Sequence, residues 1–288
     1  MARAKIFTLA GVAALLSTAA IAADLPPLPP PVYRPPVVVE TGGLYILGFV
    51  GVSEQRFDQF QFTHLNPGDV GPWPPSWRIE QKDLKDTAFV GFGIGYQWNN
   101  WFRIDFTGEH RTSSKGKAIG SYDFPWSNPP GRGFDVFDFD HQADVFLFNA
   151  YVDLGTWWCV TPFVGAGVGS VRHTVSAITD FGPNPFGVGF GLPLFGQDSV
   201  SKWTTAWAVH AGLAYNVTNT FKIEFAYRYL NMGNADTPII ECQNTPTCFR
   251  AFYTLNKITA NDFRIGFRWL LQPEAPAVVA PPPLIRKG

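Results

Sequence analysis

Bulky apolar residues alternate with small or polar ones along eight stretches of the chain, the period of two that sends successive side chains to opposite faces of a strand. From Phe102 onward, Phe102, Ile104, Phe106 and Gly108 oppose Arg103, Asp105, Thr107, Glu109 and Arg111. A later stretch sets Phe221, Ile223, Phe225, Tyr227 and Tyr229 against Lys222, Glu224, Ala226 and Arg228. The last sets Phe263, Ile265, Phe267, Trp269 and Leu271 against Asp262, Arg264, Gly266 and Arg268. Residues 88–98, 160–169 and 207–216 repeat the alternation with small residues, mostly glycines, on the second face, and 43–53 and 143–154 complete the set less cleanly.

The connections alternate in length. Residues 99–100, 155–158 and 217–219 read as tight turns, whereas 54–85, 113–140, 174–201 and 231–258 read as long loops. Short turns at one end and long loops at the other are the layout of a barrel that crosses an outer membrane, turns in the periplasm and loops outside. The pattern therefore predicts an all-β fold, an eight-stranded antiparallel transmembrane β-barrel with short periplasmic turns and four long extracellular loops. Turning the charged face to lipid would cost roughly 2 to 4 kcal/mol for an arginine near the midplane, so the charges are expected in the lumen. The glycines of 91–95 and 165–169 fit that side, where a narrow lumen needs room for long charged side chains. Trp98, Trp101, Trp157, Trp158, Tyr215 and Trp269 fall near the short-turn end, as an interfacial girdle would. A soluble barrel of lipocalin type is the competing fold.

Composition sharpens this. The chain holds 10 Trp, 9 Tyr and 26 Phe with 28 Gly, yet its mean hydropathy is zero, so much aromatic surface is placed without a hydrophobic helix. Arg3 and Lys5 precede an apolar run and small residues up to Ala23, which reads as a signal peptide over 1–22, with no cysteine at the cleavage point to take a lipid. A proline-rich spacer is expected over 23–41, the barrel over 42–271 and a proline-rich tail over 272–288. The formal charge of −1 gives no reason to expect a nucleic-acid partner. Of three cysteines, Cys242 and Cys248 are expected to form a disulfide in an oxidising compartment, with Cys159 single.

The runs Ala23-Asp24-Leu25-Pro26-Pro27, Gly91-Phe92-Gly93-Ile94-Gly95-Tyr96, Thr161-Pro162-Phe163-Val164-Gly165-Ala166-Gly167-Val168-Gly169, Tyr227-Arg228-Tyr229 and Asp262-Phe263-Arg264-Ile265-Gly266-Phe267-Arg268-Trp269 carry a resemblance. The chain resembles the small outer-membrane surface-antigen barrels of α-proteobacteria, which include immunogenic and haemin-binding proteins. The resemblance covers signal, spacer and strands but little of the loops. It implies an outer-membrane location, insertion by the barrel-assembly machinery and, as one activity of the group, haemin binding.

The glycine runs do not read as a dinucleotide site, because each lies within a strand and no helix follows to meet a phosphate. Arg103, Asp105, Glu109, Arg111, Asp153, Lys222, Glu224, Arg228, Asp262, Arg264 and Arg268 form the expected lumen charge network, either a salt-bridged filling or the lining of a narrow channel. His64, His141 and His173 fall in or beside the loops without a metal-ligand spacing, and His210 points into the lumen. His110, Ser113 and Ser114 near the outer rim lack an orienting third group, so no catalytic residue, metal or cofactor is assigned. Loop aromatics interleave with acids, as Phe137 and Phe139 do with Asp138 and Asp140; they face a partner or pack on one another above the barrel. The expected role is structural or surface-interacting, in envelope integrity, adhesion or as a surface antigen. The partners are outer-membrane lipid and a host surface or apolar ligand met by the loops, with the barrel a monomer. The alternatives are a narrow porin-like channel for small solutes or a haemin-binding surface protein.

Overall fold

A computed structural model of the chain describes residues 42–65, 78–124, 131–182, 194–196, 199–241 and 251–271. The expected signal peptide, both proline-rich segments and the Cys242–Cys248 pair lie outside the described residues. Eight long strands, β1 (Leu44–Arg56), β4 (Thr87–Gln97), β5 (Phe102–Phe124), β6 (Gly131–Asp153), β7 (Val160–Phe181), β9 (Val200–Asn216), β10 (Phe221–Asp236) and β12 (Ala251–Leu271), pair in that order, all antiparallel. β1 closes the ring on β12, in register from Leu44↔Leu271 to Arg56↔Thr259. Closure removes both sheet edges, the condition for β structure to cross lipid without orphaned backbone groups.

Four short strands sit at one end. β2 (Gln59–His64) pairs with β12, β3 (Arg78–Leu84) with β5, β8 (Leu194–Gly196) with β7, and β11 (Ile240–Glu241) bridges β8 and β12. The expectation of four long loops needs correction here, because much of their length is strand. β5 and β6 each run 23 residues and β7 runs 22, about twice the roughly 9–11 residues of a membrane crossing. The alternation does not stop at the lipid boundary; only its outward residues change, from apolar to charged. The barrel therefore stands above the membrane as a strand-built collar.

The opposite end is tight. Asn99 Oδ1 accepts from the backbone N–H groups of Trp101 and Phe102, and Thr218 Oγ1 accepts from those of Thr220 and Phe221, local bonds that stand in for ladder partners at the turn. Between the turns and the collar the outward face is apolar: Phe92 is 76% exposed, and Ile94, Val168, Phe225 and Phe263 join it. The six expected girdle aromatics are all exposed at the turn end, and Trp203, Trp207 and Tyr227 are exposed on the outward face toward the collar.

Candidate functional site

The inward positions of the strands build three stacked layers. Nearest the periplasm, Arg103 on β5 reaches Asp153 on β6 at 3.2 Å and Glu224 on β10 at 3.5 Å, while Arg268 on β12 lies 2.9 Å from Glu224 and 3.7 Å from Asp153. Asp105 accepts from the Asn149 amide at 2.8 Å and the Tyr45 hydroxyl at 3.1 Å. His210 Nε2 lies 3.1 Å from Asn149 Oδ1. Arg264 makes no ion pair among the described residues; one of its amino groups donates to Tyr151 Oη at 3.3 Å. Lys222 stands apart at the mouth, half-buried.

One layer up, four side chains close on one another. Arg111 meets Asp262 at 2.6 Å and Glu109 at 2.9 Å, and Arg228 meets Asp262 at 2.6 Å and Glu109 at 2.7 Å. Ser53 accepts the remaining Arg111 amino group at 2.8 Å. All four charged groups are at most 5% exposed. Buried charges persist only when paired and hydrogen-bonded, and here each arginine has two carboxylates.

Several of the inward glycines serve a purpose other than the one expected, while Gly167 leaves room for the Asn149 side chain. A side-chain carbon at Gly91 would strike the Phe49 ring, at Gly95 the Tyr45 ring, at Gly165 the Tyr151 ring and at Gly212 the Phe163 ring. Each of these glycines thus makes room for an aromatic ring on the neighbouring strand, and the arginines lie on those rings. The Arg103 guanidinium is 4.1 Å from the Tyr151 centroid, and Arg264 and Arg268 lie 5.1 Å and 5.6 Å from Phe49 and Tyr45. Sequence reasoning missed Ser53, Asn149, Tyr45 and Tyr151 as partners, although inward register on their strands would have found them.

The third layer lies inside the collar. His141 Nε2 and His173 Nδ1 are 2.9 Å apart, and His173 Nε2 is 2.8 Å from the Met232 carbonyl. A carbonyl only accepts, so His173 carries its proton on Nε2 and accepts from His141 Nε2–H. Burial holds both rings well below the usual histidine pKa, His173 at about 4. These two are therefore interior residues rather than loop residues, since β6 and β7 continue past the membrane. Above them Phe60 stacks on Tyr253 at 4.5 Å between centroids and touches Phe137 at 5.3 Å, with Phe57 and Phe139 alongside. Over 137–140 the alternation sorts the residues, Phe137 and Phe139 inward and Asp138 and Asp140 outward, while one turn of the pleat further out it places Asp135 inward and Phe134 outward.

On the collar's outer face charges pair across strands: Arg78 with Asp123 at 3.2 Å, Arg132 with Glu80 at 2.9 Å, Lys257 with Asp58 at 3.0 Å. Phe134 and Phe181 are exposed at the rim of β6 and β7, the Arg132 guanidinium 5.9 Å from the Phe134 ring. His110 does have an orienting group, Asp144 at 2.7 Å, with Gln142 at 3.3 Å from its other nitrogen. No described hydroxyl bonds to His110, however, and Ser114 turns inward to the His141 carbonyl. Cys159 is a free, exposed thiol in the 155–160 turn.

Among known proteins, an uncharacterised protein of Brucella abortus is 28% identical over 239 residues, 76% of this chain and 78% of that one. The outer membrane protein PagN of Salmonella typhimurium is 27% identical over 62% of this chain and 71% of its own length. A candidate adhesin of Rickettsia canadensis is 27% identical over 52% of this chain and 61% of its own. Of solved structures, Neisserial surface protein A aligns with 81% of this chain and 100% of its own at 16% identity, with a TM-score of 0.42. The closed ring, lipid-facing belt and charged interior agree with the family model that spans residues 10–269, and the chain belongs to the outer membrane protein beta-barrel domain family.

Proposed function

We propose that this Gram-negative outer-membrane barrel is a closed, non-catalytic and monomeric scaffold whose extracellular collar contacts another surface, in adhesion or as a surface antigen. The observation that carries the reading is the division of the collar. Among the described residues its interior is filled by packed aromatics, so the outward ladder of charges and the exposed Phe134 and Phe181 are what these residues offer to their surroundings. A few exposed aromatics set within a polar, charged surround is the composition of a contact surface. The candidate adhesin of Rickettsia canadensis supports the same reading by name, PagN supports the outer-membrane location alone, and the surface-antigen group lends support by the motif runs in the strands. His141 and His173 spend three of their four nitrogens on each other and on Met232, so they do not favour the haemin reading.

The test is adherence. A non-adherent Gram-negative host displaying the full chain is expected to bind cultured epithelial cells several-fold above the empty host. Replacing Arg132, Phe134 and Phe181 together by Ser is expected to return binding to background, with the heat-modifiable electrophoretic shift of a folded barrel retained. Adherence unchanged by the triple replacement would overturn the assignment of the contact surface to this rim.

A further inference from the structure

The periplasmic mouth holds a cup of about 170 Å³ walled by Gln97, Asn100, Thr156, Thr161, Asn216 and Thr218, with Asn219 and Lys222 completing it. No apolar side chain lines it, so it is not a packing defect, and it lies among the three periplasmic turns. Much of its wall is already committed. Thr156 and Thr161 bond each other at 2.7 Å, the Asn216 amide group is 3.4 Å from Thr161 Oγ1, and Gln97 accepts from Arg268 at 3.2 Å.

Two groups are left over. Asn216 Oδ1 is buried and has no hydrogen-bond partner. The Lys222 ammonium has no ion pair or hydrogen bond among the described residues, because the carboxylates beneath it are engaged elsewhere: Asp153 and Glu224 by Arg103 and Arg268, and Asp105 by Asn149 and Tyr45. The layer above is balanced, two arginines against two acids, and in the lower layer Arg103, Arg264 and Arg268 match Asp105, Asp153 and Glu224 in number, so Lys222 is the positive charge in excess at the mouth. Lys222 and Asn216 are directly opposed in the β9–β10 register, which sets their Cβ atoms about 5 Å apart. A lone cation beside a lone buried acceptor, within one residue's reach, is a paired demand for an anion and an N–H donor.

We propose that this cup binds the C-terminal carboxylate of a peptide in the periplasm, the carboxylate on Lys222 and the terminal amide N–H donating to Asn216 Oδ1. Capture of a terminal carboxylate by a small polar pocket is a recurrent mode of recognition. Two sources share this chemistry: the D-alanine-terminated peptides of the cell wall and the L-terminated ends of exported proteins.

The experiment is calorimetric titration of the full chain, folded in detergent, with N-acetyl-alanyl-alanine as free acid and as C-terminal amide, each in D,D and L,L forms. The free acid of at least one stereochemistry is expected to bind ten-fold or more tightly than its amide, and Lys222→Met to erase that difference. Preference for the D,D acid identifies cell-wall peptide as the ligand; preference for the L,L acid identifies a protein terminus. Acid and amide binding alike, neither binding, or a preference that survives Lys222→Met would overturn the site. The amide comparison needs no variant, and heat-modifiability shows that Lys222→Met has folded.

Discussion

Inside the collar two carboxyl groups face each other's strands without a cation. Burial pushes Asp180 on β7 up to about 8, with Asp135 on β6 adding to the rise, and burial alone pushes Asp135 up to about 6. Asp180 Oδ1 has no hydrogen-bond partner, and both residues are at most 7% exposed. The folded state therefore holds protons that the unfolded chain releases near pH 4. The contribution of this pair to stability falls as pH rises from about 4 toward 8, by up to about 1.4 kcal/mol per pH unit for each carboxyl group that is protonated only in the folded chain. Thermal unfolding followed by near-ultraviolet circular dichroism is expected to show a higher midpoint at pH 7 than at pH 9, a range above the histidine titrations in which buried Asp180 loses its proton. Asp180→Asn removes the larger of the two titrations and is expected to flatten most of that dependence. A wild-type midpoint that is flat or rises over this range would contradict the assignment. His141 and His173 work the other way: the unfolded chain protonates them near pH 6.5 while the buried rings, His173 at about 4, stay neutral. Between about pH 6.5 and 4 they therefore lower stability as pH falls, and the carboxyl effect stands clear of them only above about pH 7. None of this is legible in the sequence, where Asp135 is one acid among several in an expected loop and only the length of β6 turns it inward.

At the scale of strands the alternation is legible where one face is lipid and faint where neither is. At 102–111, 221–229 and 262–271 it marks the membrane crossing because apolar residues face out and charges face in. Above the membrane both faces carry polar residues, the contrast fades, and the continuation of β5, β6, β7 and β12 reads as loop. The glycines fall on the expected face but beside a different neighbour, because cross-strand register is not visible in a single strand. Their pairing with rings makes a prediction. A side chain at Gly95 would meet the Tyr45 ring and the Ile104 carbonyl, whereas one at Gly108, outward on β5, meets only Phe146 at 3.4 Å. Gly95→Ala is expected to destabilise by about 1–3 kcal/mol through overpacking, and Gly108→Ala to be neutral or slightly stabilising by lowering unfolded-state freedom. Urea unfolding from lipid vesicles by tryptophan fluorescence separates them, and equal effects at both positions would remove the ring-seat explanation.

For the whole molecule the question is whether a closed ring of eight strands is also a closed pore. Eight strands leave a bore only wide enough for side chains, and here those side chains form two seals in series. The lower seal is the pair of arginine–carboxylate layers; the upper is the aromatic packing of Phe60, Phe137 and Tyr253 within the collar. Seals in series fail only together, because an ion that passes one still meets the other. Replacing Arg228 by Ala leaves Glu109 and Asp262 short of a partner and is expected to destabilise by about 3–5 kcal/mol, the usual effect of breaking a buried pair. It leaves the aromatic seal untouched. In a planar bilayer the wild type and the single variants Arg103→Ala, Arg228→Ala and Arg268→Ala are therefore all expected to be silent while remaining folded. Only a variant that opens both charged layers and the collar, Arg103→Ala, Arg268→Ala and Arg228→Ala combined with Phe60→Ala and Phe137→Ala, is expected to conduct. Steady current from the wild type would mean that the layers open in the membrane and would return the narrow channel to first place. Current from a single arginine variant would mean that the collar does not seal, and that the ion pairs alone hold the barrel shut.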